Sequence, residues 1–338
     1  MMKRTILLVF AIATTLAQAQ SVQDLADRYD RAYASERYEL ALKTAEQILD
    51  LYPESAWWQF NTGTVLARLG RTDESIEHLR RCADLGFSGL RSFEQNADLD
   101  PLRSDERFEE ILDQVRTSAT ERMNAFQDKA KRHDPLLYIP DRGSGDRLLP
   151  IIIALHGTGM DGRPMHDALL ETAKDQGMIL VSPDALRASG NGFSWTYRDE
   201  SEWFVEHLID RMVEEHGGNP NAVYLIGFSQ GANIALNMGR THPSMFRGII
   251  PICGHYESQV ATLDGVPSPF YLMTGARDNW RGTYAAAKRD FRDAGGEAEI
   301  RMLPGLGHQL PQGRTALREF KKAFLWFERV QADAEQAP

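Results

Sequence analysis

The stretch Gly227-Phe228-Ser229-Gln230-Gly231 lies between an apolar run, residues 222–226, and a segment of helical character that begins at Ala232. This order predicts a buried strand that turns sharply into a helix, with glycines where Cβ atoms would collide. Such a turn holds its serine in a strained conformation and exposes the hydroxyl group. The N-terminus of the following helix directs N–H groups toward negative charge that develops there. The pattern therefore predicts Ser229 as a nucleophile.

Two later apolar runs each end close to a residue that can assist a serine nucleophile. The run 270–275 ends just before Asp278, and the run 298–303 leads through a glycine-containing turn into His308. The order Ser, Asp, His is the one found where three loops leave the same edge of an α/β sheet. We therefore predict His308 as the general base and Asp278 as the acid that orients it.

Each of these three residues also has a structural interpretation. Ser229 alone fits an ordinary turn, Asp278 fits the N-cap of a helix predicted over 283–294, and His308 fits a solvated loop. Their shared order at three strand ends favours catalysis over three separate structural roles.

An earlier loop is positioned to bind an oxyanion. The apolar run Leu149–Leu155 continues directly into His156-Gly157-Thr158-Gly159. We predict that the backbone N–H groups of Thr158 and Gln230 are the two donors of an oxyanion hole, each typically worth about 3 kcal/mol in the transition state. In this arrangement His156 has a structural role.

Four motifs give the chain its resemblance to a known family. They are Leu155-His156-Gly157, Gly227 to Gly231, Gly275-Ala276-Arg277-Asp278 and Gly307-His308-Gln309-Leu310-Pro311. From Asp134 to Arg329 the chain resembles α/β-hydrolases of the esterase group that contains dienelactone hydrolases, carboxylesterases and polyhydroxyalkanoate or feruloyl esterases. The resemblance implies an α/β fold, with a mostly parallel sheet and helices on both faces, and a carboxylic ester hydrolase that forms an acyl-enzyme. A peptidase or an acyltransferase with the same triad is the alternative activity.

A dinucleotide site is the rival interpretation of the first of these loops. Residues 157–162 match Gly-x-Gly-x-x-Gly after a strand, and Asp184 follows at the end of the next apolar run. Pro164, however, lies where the first turns of the required helix would be. Such a fold also has no use for an ordered Ser, Asp and His on later strands, so we expect no nucleotide and no other cofactor.

The loops around the predicted triad indicate the kind of substrate. The connection between Cys253 and Phe270 is too short to hold a lid domain. We expect an open pocket edged by Met160, Trp195 and Trp280 that accepts a small ester, although these three side chains fit core packing equally well. The histidines show no His-Glu-x-x-His spacing and no cysteine cluster accompanies them, so no metal site is predicted.

Residues 22–116 form a separate unit rich in helix-forming residues. At a spacing of 34 residues, Ala41-Leu42 aligns with Ser75-Ile76, and each pair opens the second helix of a predicted helix pair. These residues resemble two tetratricopeptide repeats, and a helix near residues 106–115 is predicted to cap them. The resemblance implies a groove for a peptide or protein partner; the alternatives are a rigid appendage, a self-association surface, or a binding scaffold beside an inactive hydrolase domain. Residues 117–132 are predicted to be a helical connector.

The start of the chain has the three regions of a secretory signal. Met1-Met2-Lys3-Arg4 is basic, residues 6–12 are apolar, and Ala17-Gln18-Ala19 precedes Gln20. We predict a signal peptide over 1–19, cleavage between Ala19 and Gln20, and a periplasmic or secreted protein; a buried N-terminal strand or helix is the alternative. The two cysteines, Cys82 and Cys253, fall in different predicted domains, so buried thiols are expected and a disulfide is not.

Composition is consistent with this division. The chain has 338 residues, of which 42% are hydrophobic, enough for two cores. The catalytic domain is predicted over 133–330, followed by a flexible C-terminus over 331–338. A net charge of −10 without a basic stripe argues against nucleic-acid binding, and no membrane span is expected.

Overall fold

The computed structural model describes residues 22–141, 147–257 and 266–336. The predicted signal peptide and its cleavage position lie outside these residues. Contacts divide the chain into two compact units, with the boundary between Ala125 and Phe126.

In its described part the first unit is all-helical, as predicted. Its helices are α1 (22–34), α2 (Tyr38–Leu51), α3 (Ala56–Arg68), α4 (Thr72–Asp84), α5 (Leu90–Glu94), a 3₁₀ helix (Ala97–Leu102) and α6 (Glu106–Ala130), of which residues 126–130 fall in the second unit. Helices α2 and α4 begin 34 residues apart, in agreement with the predicted repeat. Close packing of α3 on α4 depends on Gly63, because a Cβ there would lie 2.7 Å from Cγ of Leu79.

The end of this unit differs from the sequence-based prediction. The predicted capping helix near 106–115 and the predicted connector 117–132 form one continuous helix, α6. Phe108, Ile111 and Val115 on its first half are buried in the core of the first unit. Because no glycine or proline interrupts residues 106–130, nothing in the backbone ends the helix at position 116.

The second unit is built on a seven-stranded sheet. Its strands are β1 (Leu136–Tyr138), β2 (Leu149–Leu155), β3 (Ile179–Ser182), β6 (Gly218–Phe228), β7 (Gly248–Ile252), β8 (Phe270–Gly275) and β9 (Ala298–Leu303), in the order β1-β3-β2-β6-β7-β8-β9. Only the β1–β3 pair among the described strands of this sheet is antiparallel. Between β3 and β6 in the chain, β4 (Arg187–Ser189) and β5 (Gly192–Ser194) form a separate hairpin.

Helices cover both faces of the sheet, which confirms the predicted α/β fold class. Helices α7 (Arg163–Gln176) and α11 (Gly313–Glu335) pack on one face, where Ile152 and Ala154 of β2 share a core with Phe320 and Phe324 of α11. Helices α8 (Arg198–His216) and α9 (Gln230–Thr241) lie against the opposite face, and α10 (Thr283–Asp293) packs beside β9. Alternate side chains of a central strand are therefore buried on opposite faces.

The C-terminal helix continues beyond the predicted end of the domain at residue 330. Residues 331–335, predicted to be part of a flexible terminus, belong to α11. Gln331 explains part of this order, since its side chain accepts a hydrogen bond of 2.6 Å from Nε of Arg247 and donates one of 3.2 Å to the Arg247 carbonyl. Within the described residues, every helix is too short or too polar to cross a bilayer.

Candidate active site

Ser229 occupies the turn between the central strand β6 and helix α9. Its backbone has φ 53° and ψ −113°, a left-handed conformation that is strained for a residue other than glycine. The Ser229 N–H donates to the carbonyl of Ile252 on β7, at 2.9 Å, and this bond fixes the turn against the neighbouring strand. The side chain of Ser229 is consequently presented at the carboxyl edge of the sheet.

The glycines on either side of this turn have no room for a side chain. A Cβ on Gly227 would lie 2.1 Å from the carbonyl oxygen of Gly231, and a Cβ on Gly231 would lie 2.4 Å from the carbonyl oxygen of Leu155. These are backbone atoms that cannot move without shifting a strand or a helix. The structure therefore agrees with the prediction from the sequence that Cβ atoms at these two positions would collide with the backbone.

The three predicted triad residues lie in hydrogen-bonded order. Nε2 of His308 is 2.9 Å from Oγ of Ser229, and Nδ1 of His308 is 2.8 Å from Oδ2 of Asp278. Asp278 follows β8 and has a fully buried side chain, whereas His308 follows β9 and is 42% exposed. The arrangement allows the imidazole to accept the serine proton while the carboxylate holds its other nitrogen.

The surroundings of Asp278 favour its carboxylate form. Burial alone would raise its pKa, but the hydrogen bonds from the backbone N–H of Trp280 and the ring of His308, together with the nearby thiol of Cys253, hold the pKa below its ordinary value. The Trp280 N–H lies 2.7 Å from Oδ1. Asp278 does not cap α10, which begins at Thr283 after Gly282 without a side-chain cap, so that structural alternative is wrong.

Cys253 is a neighbour of the triad that sequence reasoning missed. It follows β7, has a positive φ of 54°, and is buried. Its Sγ lies within 4.8 Å of a carboxylate oxygen of Asp278 and 3.9 Å from the carbonyl oxygens of Gly307 and Gln309. Burial, together with the neighbouring Asp278 carboxylate, raises the pKa of the thiol to about 11, so it remains protonated. Its position directly after a strand beside the nucleophile strand was the available signal. Both cysteines are free buried thiols, as predicted.

The two predicted oxyanion donors are the N–H of Thr158, on the loop after β2, and the N–H of Gln230, which directly follows Ser229. A Cβ on Gly157 would be 3.2 Å from Cβ of Ser229, which shows how close the loop after β2 comes to Ser229. Gln230 begins α9. Within the part of the chain that the structure describes, the N–H groups of Thr158 and Gln230 have no hydrogen-bond partner. Both donors are therefore available to a ligand oxygen.

His156 is buried behind this loop. Its Nδ1 lies 2.7 Å from the carbonyl of Gly157, and its Nε2 accepts a hydrogen bond of 2.9 Å from the N–H of Ala185. These partners require the proton on Nδ1, and burial lowers the pKa of the ring. The neutral imidazole thus joins two loops, in line with the structural role predicted for it.

The glycine-rich loop makes hydrogen bonds within the protein. Oδ1 of Asp184 accepts a 2.7 Å hydrogen bond from the N–H of Gly162, so the carboxylate is engaged inside the fold. A Cβ on Gly162 would lie 2.4 Å from the carbonyl oxygen of Ser182, which gives this glycine a packing reason. Helix α7 begins at Arg163, with Pro164 in its first turn.

The three predicted pocket residues have different environments. Trp280 is 45% exposed, and its ring centroid lies 4.4 Å from that of His255, so the two form an aromatic surface near Asp278. Met160 is half-buried and its backbone pairs with Phe193. Trp195 is only 5% exposed and packs on His156, so the prediction that it edges the pocket is wrong.

A set of potential metal ligands in the described residues coincides with the triad. One atom from each of Cys253, Asp278 and His308 lies within 4.8 Å of the others. The hydrogen bonds of the triad already use the carboxylate and the imidazole. The observed geometry is therefore that of a proton-transfer chain.

The second unit is similar in sequence to known hydrolases. The family described as alpha/beta hydrolase fold matches residues 150–333, more than half of the chain. The chain is 27% identical over 143 residues to the putative esterase NocK of Nocardia uniformis subsp. tsuyamanensis, covering 39% of this chain and 41% of that protein. It is 30% identical over 119 residues to the poly(3-hydroxyalkanoate) depolymerase C of Paucimonas lemoignei, covering 31% and 28%. The chain thus spans less than half the length of these two curated relatives. The crystal structure of esterase PE8 is 22% identical, covers 57% of this chain and 97% of that one, and has a TM-score of 0.48.

Proposed function

The chain belongs to the alpha/beta-hydrolase family, and from this premise we propose that it is a serine-dependent carboxylic ester hydrolase. The observation that carries the proposal is the continuous hydrogen-bond chain from Oγ of Ser229 through His308 to Asp278. Serine esters are formed where such a chain ends at a strained, accessible serine. The names of the relatives, an esterase and a polyester depolymerase, support the same reaction class.

The proposed reaction has two balanced halves. Oγ of Ser229 attacks the ester carbonyl carbon while its proton passes to Nε2 of His308, and the carbonyl π electrons move to the oxygen. Collapse of this tetrahedral intermediate breaks the ester C–O bond, and His308 returns the proton to the leaving alkoxide. Water then repeats the sequence on the acyl-enzyme and releases the carboxylic acid and free Ser229.

The oxyanion is stabilised in this proposal by the N–H groups of Thr158 and Gln230. Both donors have no other partner in the described structure, and the second belongs to the first turn of α9, where the helix dipole favours negative charge. Asp278 remains ionised throughout, because its pKa lies below the ordinary carboxyl value. It stabilises the imidazolium that forms in each half-reaction.

A fluorescent fluorophosphonate and a series of short-chain p-nitrophenyl esters test the proposal. The unmodified protein is expected to be labelled and to hydrolyse the esters, and Ser229→Ala is expected to lose both. Ser244→Ala is the matched control, since Ser244 is exposed on a turn of the same unit. Labelling without ester turnover would contradict an esterase and favour an amidase or an acyltransferase. Absence of labelling would refute the serine mechanism.

We propose that the protein is exported, on the basis of the N-terminal pattern of residues 1–19. Expression in a Gram-negative host followed by fractionation and intact mass measurement is expected to give a periplasmic or secreted protein that begins at Gln20. A cytoplasmic product that retains Met1 would overturn the proposal.

For the helical first unit we propose a role in binding a peptide or a partner protein. The 34-residue spacing of α2 and α4 supports this, because helix pairs at that spacing stack into surfaces that bind extended chains. Retention of a partner by the full chain, and its loss after substitutions confined to residues 22–116, would support the role. Retention that is unaffected by such substitutions would refute it.

A further inference from the structure

The β4–β5 hairpin touches the loop that supplies the first proposed oxyanion donor. The N–H of Gly159 donates to the carbonyl of Phe193 at 2.8 Å, and the N–H of Phe193 donates to the carbonyl of Met160 at 2.9 Å. These two bonds form a short antiparallel bridge directly after Thr158. The position of Thr158 therefore depends on where the hairpin lies.

The same hairpin is bound by the side chain of the residue that supplies the second donor. Oε1 of Gln230 accepts hydrogen bonds from Oγ of Ser194, at 3.1 Å, and from the N–H of Trp195, at 2.9 Å. Nε2 of Gln230 donates to the carbonyl of Trp195 at 3.2 Å. The side-chain amide of Gln230 thus bonds to both the backbone N–H and the backbone C=O of Trp195.

The hairpin is itself held firmly at its base. The indole N–H of Trp195 donates to the carbonyl of His156 at 2.9 Å. The guanidinium of Arg187 forms a two-pronged ion pair with the buried carboxylate of Glu200. Gly192 lies so close to the oxyanion loop that a Cβ there would be 2.4 Å from the carbonyl oxygen of Gly159. There is accordingly no space between the hairpin and the loop.

We propose that the Gln230 side chain and the β4–β5 hairpin together fix the separation of the two oxyanion donors, which makes Gln230 a positioning residue through its side chain. The inference deepens the proposed function and rests on it. The two N–H groups come from separate elements, the loop after β2 and the start of α9. The hairpin and the residue that follows it form hydrogen bonds with the loop after β2 and with the Gln230 side chain. A displacement of either donor would therefore break hydrogen bonds to the hairpin.

This arrangement matters because an oxyanion hole acts through donors that are already in place when charge develops. If the hairpin were detached from Gln230, both N–H groups would still exist, but their relative position would fluctuate. The loss would then appear in the transition state and not in the binding of the ground-state ester. The proposed role therefore predicts that the loss of these hydrogen bonds lowers kcat and leaves KM nearly unchanged.

The test is Gln230→Met, which keeps the backbone N–H and the approximate size of the side chain but removes its hydrogen bonds. We expect kcat for p-nitrophenyl butyrate to fall about 10- to 100-fold while KM changes less than about threefold. Inhibition by a trifluoromethyl ketone, whose adduct carries an oxyanion, should weaken by a similar factor. Gly192→Ala, which pushes the hairpin away from the opposite donor, should give the same separation of kcat from KM.

Gln176→Met, at the end of α7, is the matched control and should leave kcat and KM unchanged. Active-site concentrations come from fluorophosphonate titration, so that an unfolded fraction is not counted as a catalytic defect. Unchanged kcat in Gln230→Met, or a loss confined to KM or to the active fraction, would overturn the inference. Because Ser229→Ala tests the proposed function separately, an active wild type with an unaffected Gln230→Met would remove the inference alone.

Discussion

Asp278→Asn is a sharp perturbation because the surroundings dictate how the new amide must lie. The Trp280 N–H is an obligatory donor 2.7 Å from Oδ1 of Asp278. The oxygen of the substituted amide must therefore face Trp280, which turns its NH₂ group toward Nδ1 of His308. Nδ1 then has to accept a hydrogen bond, so the ring proton moves to Nε2. An Nε2 that carries a proton cannot take the proton of Ser229.

The expected magnitude follows from this tautomer. The volume of residue 278 is unchanged and the Trp280 N–H stays paired, so the fold should be preserved. Loss of a correctly oriented base has a known scale in a serine triad, where an Asp-to-Asn change lowers kcat about 10⁴-fold. We expect the same order here, with KM changed by less than about threefold, since Asp278 is only 1% exposed and therefore inaccessible to a substrate.

The assay is the steady-state hydrolysis of p-nitrophenyl butyrate, with thermal unfolding measured in parallel. Asp210→Asn, an exposed position on α8, is the matched control and should retain full activity. A kcat for Asp278→Asn within about tenfold of the unmodified protein, at equal thermal stability, would show that Asp278 does not set the tautomer of His308.

Three further predictions concern the surroundings of the triad and the core. Cys253→Ala removes a thiol that helps to lower the pKa of Asp278, so this pKa should rise when the carboxyl group is titrated by NMR; an unchanged pKa of Asp278 would contradict this. Tyr284 is fully buried, and its hydroxyl accepts a hydrogen bond of 2.7 Å from the N–H of Gly254. Tyr284→Phe should therefore lower the free energy of unfolding by about 1–3 kcal/mol in urea titrations. An unchanged free energy of unfolding would show that this hydrogen bond does not stabilise the fold. Burial opposes ionisation of Glu319, but three neighbouring cations lower its pKa to about 2. Its stabilising contribution is therefore complete above pH 4.5 and lost as the pH falls toward 2, and Glu319→Gln should flatten the dependence of unfolding on pH in that window.

The sequence predicted a structural feature correctly where the residues that cause the feature lie together in one short segment. Strand-to-turn patterns identified the elbow at Ser229 and the loops that hold Asp278 and His308, because each is an apolar run with the candidate residue in the short loop that follows it. The 34-residue spacing in the first unit is a similar local signal. The α/β fold followed from these elements in order.

What sequence could not supply are contacts between segments that are distant in the chain. The thiol of Cys253 lies within 4.8 Å of the Asp278 carboxylate at the ends of two neighbouring strands, and the indole of Trp195 is held by a hydrogen bond to the carbonyl of His156. Neither partner is near in sequence, so no periodicity reports the contact. The end of α11 was missed for the same reason, since Gln331 is ordered by Arg247.

The crowded glycines of the elbow have a practical consequence for anyone who wishes to redesign substrate choice. A single added methyl group at position 227 or 231 would overlap backbone oxygen atoms 2.1 and 2.4 Å away, so a mutant library that includes these codons would consist largely of misfolded clones. Trp280 is 45% exposed, so position 280 is expected to accept other side chains. Diversity placed there, with the elbow left constant, would explore new esters at little cost to folding.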